Sequence, residues 1–128
     1  MKFHYQFMYG RMLPLIDITL EHLGRHIKTI AYVDSGALYS VFSSNIADIL
    51  GMDYEKGNLL EAVGVGGRIK AYEHELKISI GGHEMAAKVL FSKEMAFTFN
   101  LIGIIPLFEN FRVCFDGRQE QLEITPLQ

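Results

Sequence analysis

A carboxylate set where an apolar strand ends is the side chain in this sequence best suited to moving a proton. It lies in Tyr32-Val33-Asp34-Ser35-Gly36-Ala37. An acid at the end of a buried strand is costly unless its oxygens are hydrogen-bonded. The small residues after Asp34 let backbone N–H groups come close enough to do that. Such a carboxylate can serve as a general base toward water, or as a general acid once protonated. As pure structure, Asp-Ser-Gly is an Asx-type turn closing a strand, and the local residues leave both readings open.

Other constellations carry less. Ser35 lacks the Gly-x-Ser-x-Gly setting of a hydrolase nucleophile, because Val33 stands two residues before it. His22 and His26 have a metal-binding spacing on a helix, but Gly24 places a turn between them. His74 alternates with apolar residues and reads as packed, whereas His83 sits beside a glycine turn and reads as solvated. Cys114 lies between Val113 and Phe115 in an alternating strand and is expected to be buried and inert. Gly64-Val65-Gly66 begins like a dinucleotide loop, yet Ile69 takes the third glycine position and strand pattern follows. Glu73, Glu75 and Lys77 read as a solvated strand face, and Met95, Phe97 and Phe99 as core or interface. No metal and no organic cofactor is expected.

The elements that must position Asp34 are short strands. Ile16, Ile18 and Leu20 alternate with Asp17, Thr19 and Glu21, the period of a half-buried strand. A turn near Leu23-Gly24 and a return strand over residues 26–33 deliver the chain to Asp34. Ser43 or Ser44 can cap a helix over 45–50 that stops at Gly51. Gly64, Gly66 and Gly67 make a glycine-rich loop. Tyr72, His74, Leu76, Ile78 and Ile80 share one face of a long strand, and Gly81-Gly82 signals a tight hairpin. Further strands are expected at 97–102, 111–115 and 121–125, with a helical turn at 106–110 and a turn at Asp116-Gly117. The expectation is an all-β fold, a closed or partly open barrel with one or two short helices. Residues 1–12 are aromatic-rich and read as an arm, an edge strand or a disordered lead. Residues 13–128 read as one domain.

Composition agrees with that outline. In 128 residues, Leu, Ile, Val and Phe together supply about a third, enough for one core. The net charge of −3, from 12 basic and 15 acidic residues, shows no basic stripe for nucleic acid. The longest uncharged stretch, 95–108, is too short for a membrane span. His4, Gln6 and Arg11 interrupt any signal-peptide core, and a single cysteine points to a reducing, cytoplasmic setting.

Taken in order, these segments resemble the retropepsin-like aspartic proteases. Asp34-Ser35-Gly36-Ala37 resembles their active-site signature. Ala62-Val63-Gly64-Val65-Gly66-Gly67 looks like their substrate-covering flap. Asn100-Leu101-Ile102-Gly103, with the helical turn after it, resembles their hydrophobic-hydrophobic-glycine element. The resemblance spans about residues 13–125. It implies one lobe per chain and a homodimer in which two Asp34 carboxylates meet and share a proton. Ser35 would brace the paired loops, and Gly36 and Ala37 would admit backbone to the carboxylates. Val63, Gly64, Val65, Gly66 and Gly67 would offer flap backbone to an extended peptide. Ile102 and Gly103 would be structural supports.

The sequence departs from the retroviral pattern at two places. Leu38 and Tyr39 stand where an acidic residue is usual, and Ile104 where an arginine follows the glycine. The C-terminal hairpin is long and resembles prokaryotic and cellular members, in which such strands build the dimer. The competing reading keeps the same fold without turnover, as a catalytically inactive peptide-binding or assembly module.

Overall fold

The computed structural model describes residues 1–64, 67–95 and 99–127. In chain order they form β1 (Lys2–His4), β2 (Gln6–Met8), β3 (Arg11–Leu13), β4 (Leu15–His22), β5 (Arg25–Val33) and β6 (Val41–Ser43). Helix α1 (Ser44–Ile49) and a single 3-10 turn at Tyr54–Lys56 follow. Then come β7 (Asn58–Gly64), β8 (Gly67–Ile80), β9 (His83–Ser92), β10 (Asn100–Ile102), α2 (Leu107–Asn110), β11 (Phe111–Asp116) and β12 (Gln121–Pro126). The expected all-β architecture with two short helices is the one observed.

Period-two patterning builds the first hairpin. Ile16, Ile18 and Leu20 are buried and Asp17 is exposed, while β4 pairs β5 from Leu15↔Tyr32 to His22↔Arg25. Leu23 and Gly24 close it with φ of 48° and 83°, the left-handed pair a two-residue turn requires. Gly81 and Gly82 do the same between β8 and β9, with φ of 56° and 83°. Register also separates the two histidines near the first turn. His22 pairs Arg25 and His26 pairs Glu21, so their side chains belong to opposite faces of the hairpin.

The large sheet has the order β4-β5-β10-β6-β9-β8-β7, with β4 also pairing β8. That extra pairing, Thr19↔Ser79 to Glu21↔Lys77, joins six strands in a closed circuit and leaves β7 outside it. A three-stranded sheet, β1-β12-β11, lays Phe3, Val113, Leu122 and Ile124 on the same core as Ile18, Phe42, Phe91 and Ile102. The first thirteen residues thus contribute β1 to this sheet and the separate β2–β3 hairpin.

Helix α1 begins where Ser43 Oγ accepts the Asn45 N–H at 3.3 Å, so Ser43 is the cap. Three details differ from the sequence reading. Cys114 is exposed, because Phe111 and Val113 take the core side of β11 and Cys114 falls on the outer face with Arg112. The last turn is longer than Asp116-Gly117, since the Asp116 carboxylate accepts from the N–H groups of both Arg118 and Gln119. The strand expected over 97–102 is Asn100–Ile102, and residues 96–98 lie outside the described residues.

Candidate active site

Strand order explains why Asp34 sits where it does. β5 and β6 are consecutive in sequence, yet β10 lies between them, parallel to β5 and antiparallel to β6. The loop over residues 34–40 must therefore cross the end of β10, next to Ile102 and Gly103. Asp34 is the first residue of that crossing. Its N–H donates to the Ile102 carbonyl at 3.0 Å, which prolongs the parallel ladder by one bond.

One backbone N–H holds the carboxylate, and a second closes the turn on the main-chain carbonyl. The Gly36 N–H donates to Asp34 Oδ1 at 2.9 Å, and the Ala37 N–H donates to the Asp34 carbonyl at 3.3 Å. This is the Asx turn anticipated from Asp-Ser-Gly. Asp34 is half-buried and Ser35 is exposed. A side chain on Gly36 would start 3.3 Å from Oδ1, so glycine keeps that approach open. No ion pair involves Asp34 among the described residues. One chain thus presents one backbone-anchored carboxylate with a hydroxyl neighbour.

Gly103 is required by the crossing itself. A Cβ there would run into the Ala37 carbonyl oxygen and lie 2.9 Å from the Tyr39 oxygen. The Ile104 N–H donates to the Ala37 carbonyl at 2.8 Å and the Ile105 N–H to that of Leu38 at 2.9 Å. These bonds bring Leu38 and Ile104, the two apolar departures from the retroviral pattern, side by side. Both remain exposed, at 52% and 37%.

Two buried polar side chains, Ser40 and Asn100, complete the frame in roles that the sequence alone does not assign. Ser40 is fully buried; its hydroxyl accepts the Gly103 N–H at 2.9 Å and donates to the Ile105 carbonyl at 2.7 Å. Asn100 donates to the Ile30 carbonyl at 2.9 Å and to Thr29 Oγ1 at 3.2 Å, and accepts the Ser43 N–H at 2.9 Å. It therefore ties β10 to both neighbours. A polar residue inside an apolar run was the signal for it. Tyr32, which shares Asp34's side of β5, stacks on Phe99 with centroids 5.2 Å apart, and Tyr9 meets the same ring at 6.1 Å.

The flap-like segment forms the hairpin of β7 and β8, paired out to Gly64↔Gly67. Val63 is 72% exposed, and Gly67 has φ of 109°. Val65 and Gly66 lie outside the described residues. Arg68 and Glu61 form an ion pair across this hairpin at 2.9 Å. The structure thus unites Asp34, Ser35, Gly36, Ala37, Ile102 and Gly103 in one crossing. No hydrogen bond links that crossing to Val63, Gly64 or Gly67 among the described residues. Among those residues, no group of three His, Cys, Asp or Glu is placed to hold a metal ion. No described helix is long and apolar enough to cross a membrane.

Neither a protein-family model nor a curated protein matches the sequence. Solved structures do match the fold. A retropepsin-like aspartic protease from Rickettsia conorii superposes with a TM-score of 0.65 at 23% identity, covering 96% of this chain and 97% of its own. The retroviral protease-like domain of Ddi1 from Leishmania major gives 0.61 at 19% identity, covering 91% and 94%. The EIAV protease, in complex with the inhibitor HBY-793, gives 0.56 at 16% identity, covering 77% and 88%. By these superpositions the chain has the fold of the retropepsin-like aspartic proteases.

Proposed function

We propose that the protein is a homodimeric aspartic endopeptidase. The observation that carries this reading is the anchored Asp34 carboxylate at the β5–β10 crossing of a retropepsin-like fold. A single carboxylate per chain is half of an acid–base pair. In the dimer, two Asp34 side chains face each other and share one proton, because like charges that close do not both ionise. The ionised member takes a proton from water as that water attacks the scissile carbonyl. The protonated member polarises the carbonyl oxygen, and the pair then returns a proton to the leaving amine. Ser35, exposed beside Asp34, braces one loop against its copy. The β7–β8 hairpin binds an extended peptide through its backbone.

Exposed apolar groups support the dimer. Leu38 and Ile104 flank the Asp34 loop, and Phe7, Tyr9 and Met12 are exposed on and beside the β2–β3 hairpin. Where such residues form one contiguous patch, they favour an interface. In place of a polar lock, Leu38 and Ile104 then bury apolar surface between subunits.

The test is cleavage of a mixed peptide library from about pH 4 to 7, compared with the same assay on a variant that cannot share the proton. Asp34→Asn is expected to abolish cleavage while leaving the fold and the dimer intact. Full cleavage by that variant rejects the mechanism. No cleavage by a dimer of the parent protein favours the peptide-binding module instead.

A further inference from the structure

The ladder between β8 and β9 ends at Tyr72↔Phe91, but the ladder between β7 and β8 continues to Gly64↔Gly67. Beyond Tyr72, then, the hairpin has no strand beside it on the β9 side among the described residues. Continued register would set Lys70 opposite Lys93. Lys93 is not in a strand, and its two neighbours bond Lys70 through their side chains instead. Ser92 Oγ donates to the Lys70 carbonyl at 2.6 Å. The Lys70 N–H donates to Glu94 Oε1 at 2.9 Å. The Glu94 N–H donates to Ser92 Oγ at 3.0 Å, which links the two. A hydroxyl replaces the missing backbone N–H, and a carboxylate replaces the missing carbonyl.

We propose that Ser92 and Glu94 are positioning residues that form a releasable last rung and set the pivot of the β7–β8 hairpin. Ser92 is 1% exposed and held in place, so it is the fixed half. Glu94 is exposed and carried on rotatable bonds, so it is the half that opens. Water can take over its hydrogen bond without moving β9, which a backbone rung would not allow. With the rung closed, the hairpin swings from Lys70; with it open, from Tyr72. The proposal rests on reading this hairpin as the substrate-covering flap.

Amide hydrogen exchange tests the rung directly, because it needs no substrate. Glu94→Ala removes the acceptor, whereas Glu94→Gln keeps an acceptor oxygen. Loss of one such bond corresponds to about fivefold faster exchange at the Lys70 amide. Residues 76–80 should keep the parent rates, and Glu94→Gln should stay within about twofold of the parent at Lys70. Unchanged Lys70 exchange in Glu94→Ala, or equal acceleration in both variants, overturns the rung. In peptide cleavage, Glu94→Ala should raise KM severalfold with kcat nearly kept, and Glu94→Gln should restore KM. Equal KM in all three proteins overturns the positioning role. A parent dimer that cleaves nothing refutes the protease reading, and the exchange rates still decide for or against the rung.

Discussion

Replacing Gly103 with alanine should dismantle the crossing beneath Asp34. The added methyl would overlap the Ala37 carbonyl oxygen and sit 2.9 Å from both the Ala37 carbonyl carbon and the Tyr39 oxygen. All three are backbone atoms, so no rotamer change relieves the contact. Overpacking of this kind costs about 1–3 kcal/mol. Moving the loop aside strains the Ile104–Ala37 and Gly103–Ser40 hydrogen bonds, at about 1 kcal/mol for each one lost. A total near 3 kcal/mol corresponds to a fall in Tm of roughly 10 °C for a chain of this size. Urea and thermal unfolding followed by circular dichroism measure it. Gly117→Ala is the control, since nothing lies within 4 Å of a Cβ there, and it should change stability by less than about 0.5 kcal/mol. If Gly103→Ala matches Gly117→Ala in stability, the strand-crossing argument is refuted.

Other expectations follow from the same frame. Ser40→Ala leaves the buried Gly103 N–H and Ile105 carbonyl unpaired and should cost about 2 kcal/mol in urea unfolding; a change below about 0.5 kcal/mol contradicts the bracing role. Asn100→Leu removes three hydrogen bonds that join β10 to β5 and β6, and should cost about 2–4 kcal/mol; a neutral result would mean that the strands hold their register without it. Burial, with the nearby Tyr32, Asp116 and Glu120, holds the Tyr5 phenol above its ordinary value of 10.0. The unfolded phenol therefore ionises first, and stability falls as pH rises above that value. Tyr5→Phe should flatten this alkaline fall, read from urea midpoints between about pH 9 and 11, and equal slopes in the two proteins would contradict it.

The sequence disclosed most of the path to Asp34. Alternation over β4 and β5 and the paired left-handed turns are local signals, and local signals survive in a single chain. The same holds for the Asx turn at Asp34 and the glycine hairpin at 81–82. What stayed hidden was non-local. Nothing in Val41-Phe42-Ser43 announces a three-residue strand, because its partners come from β9 and β10. β7 is hidden for a similar reason: among the described residues Asn58–Gly64 pairs with β8 alone and is largely exposed, so it carries little apolar periodicity. Val113 and Phe115 point to burial of Cys114, but alternation from Phe111 turns Cys114 outward. The roles of Ser40 and Asn100 depend on which strand lies between which, and that order is set by the whole sheet.

The measurement closest to the central claim is subunit mixing. Parent protein and the Asp34→Asn variant are combined in equal amounts, allowed to exchange subunits fully, and assayed for peptide cleavage per total subunit. If two Asp34 carboxylates form one site, only dimers with both are active, and activity should fall to about a quarter of the parent value. A fall to about one half would mean that each chain works alone, and would contradict the shared-carboxylate account.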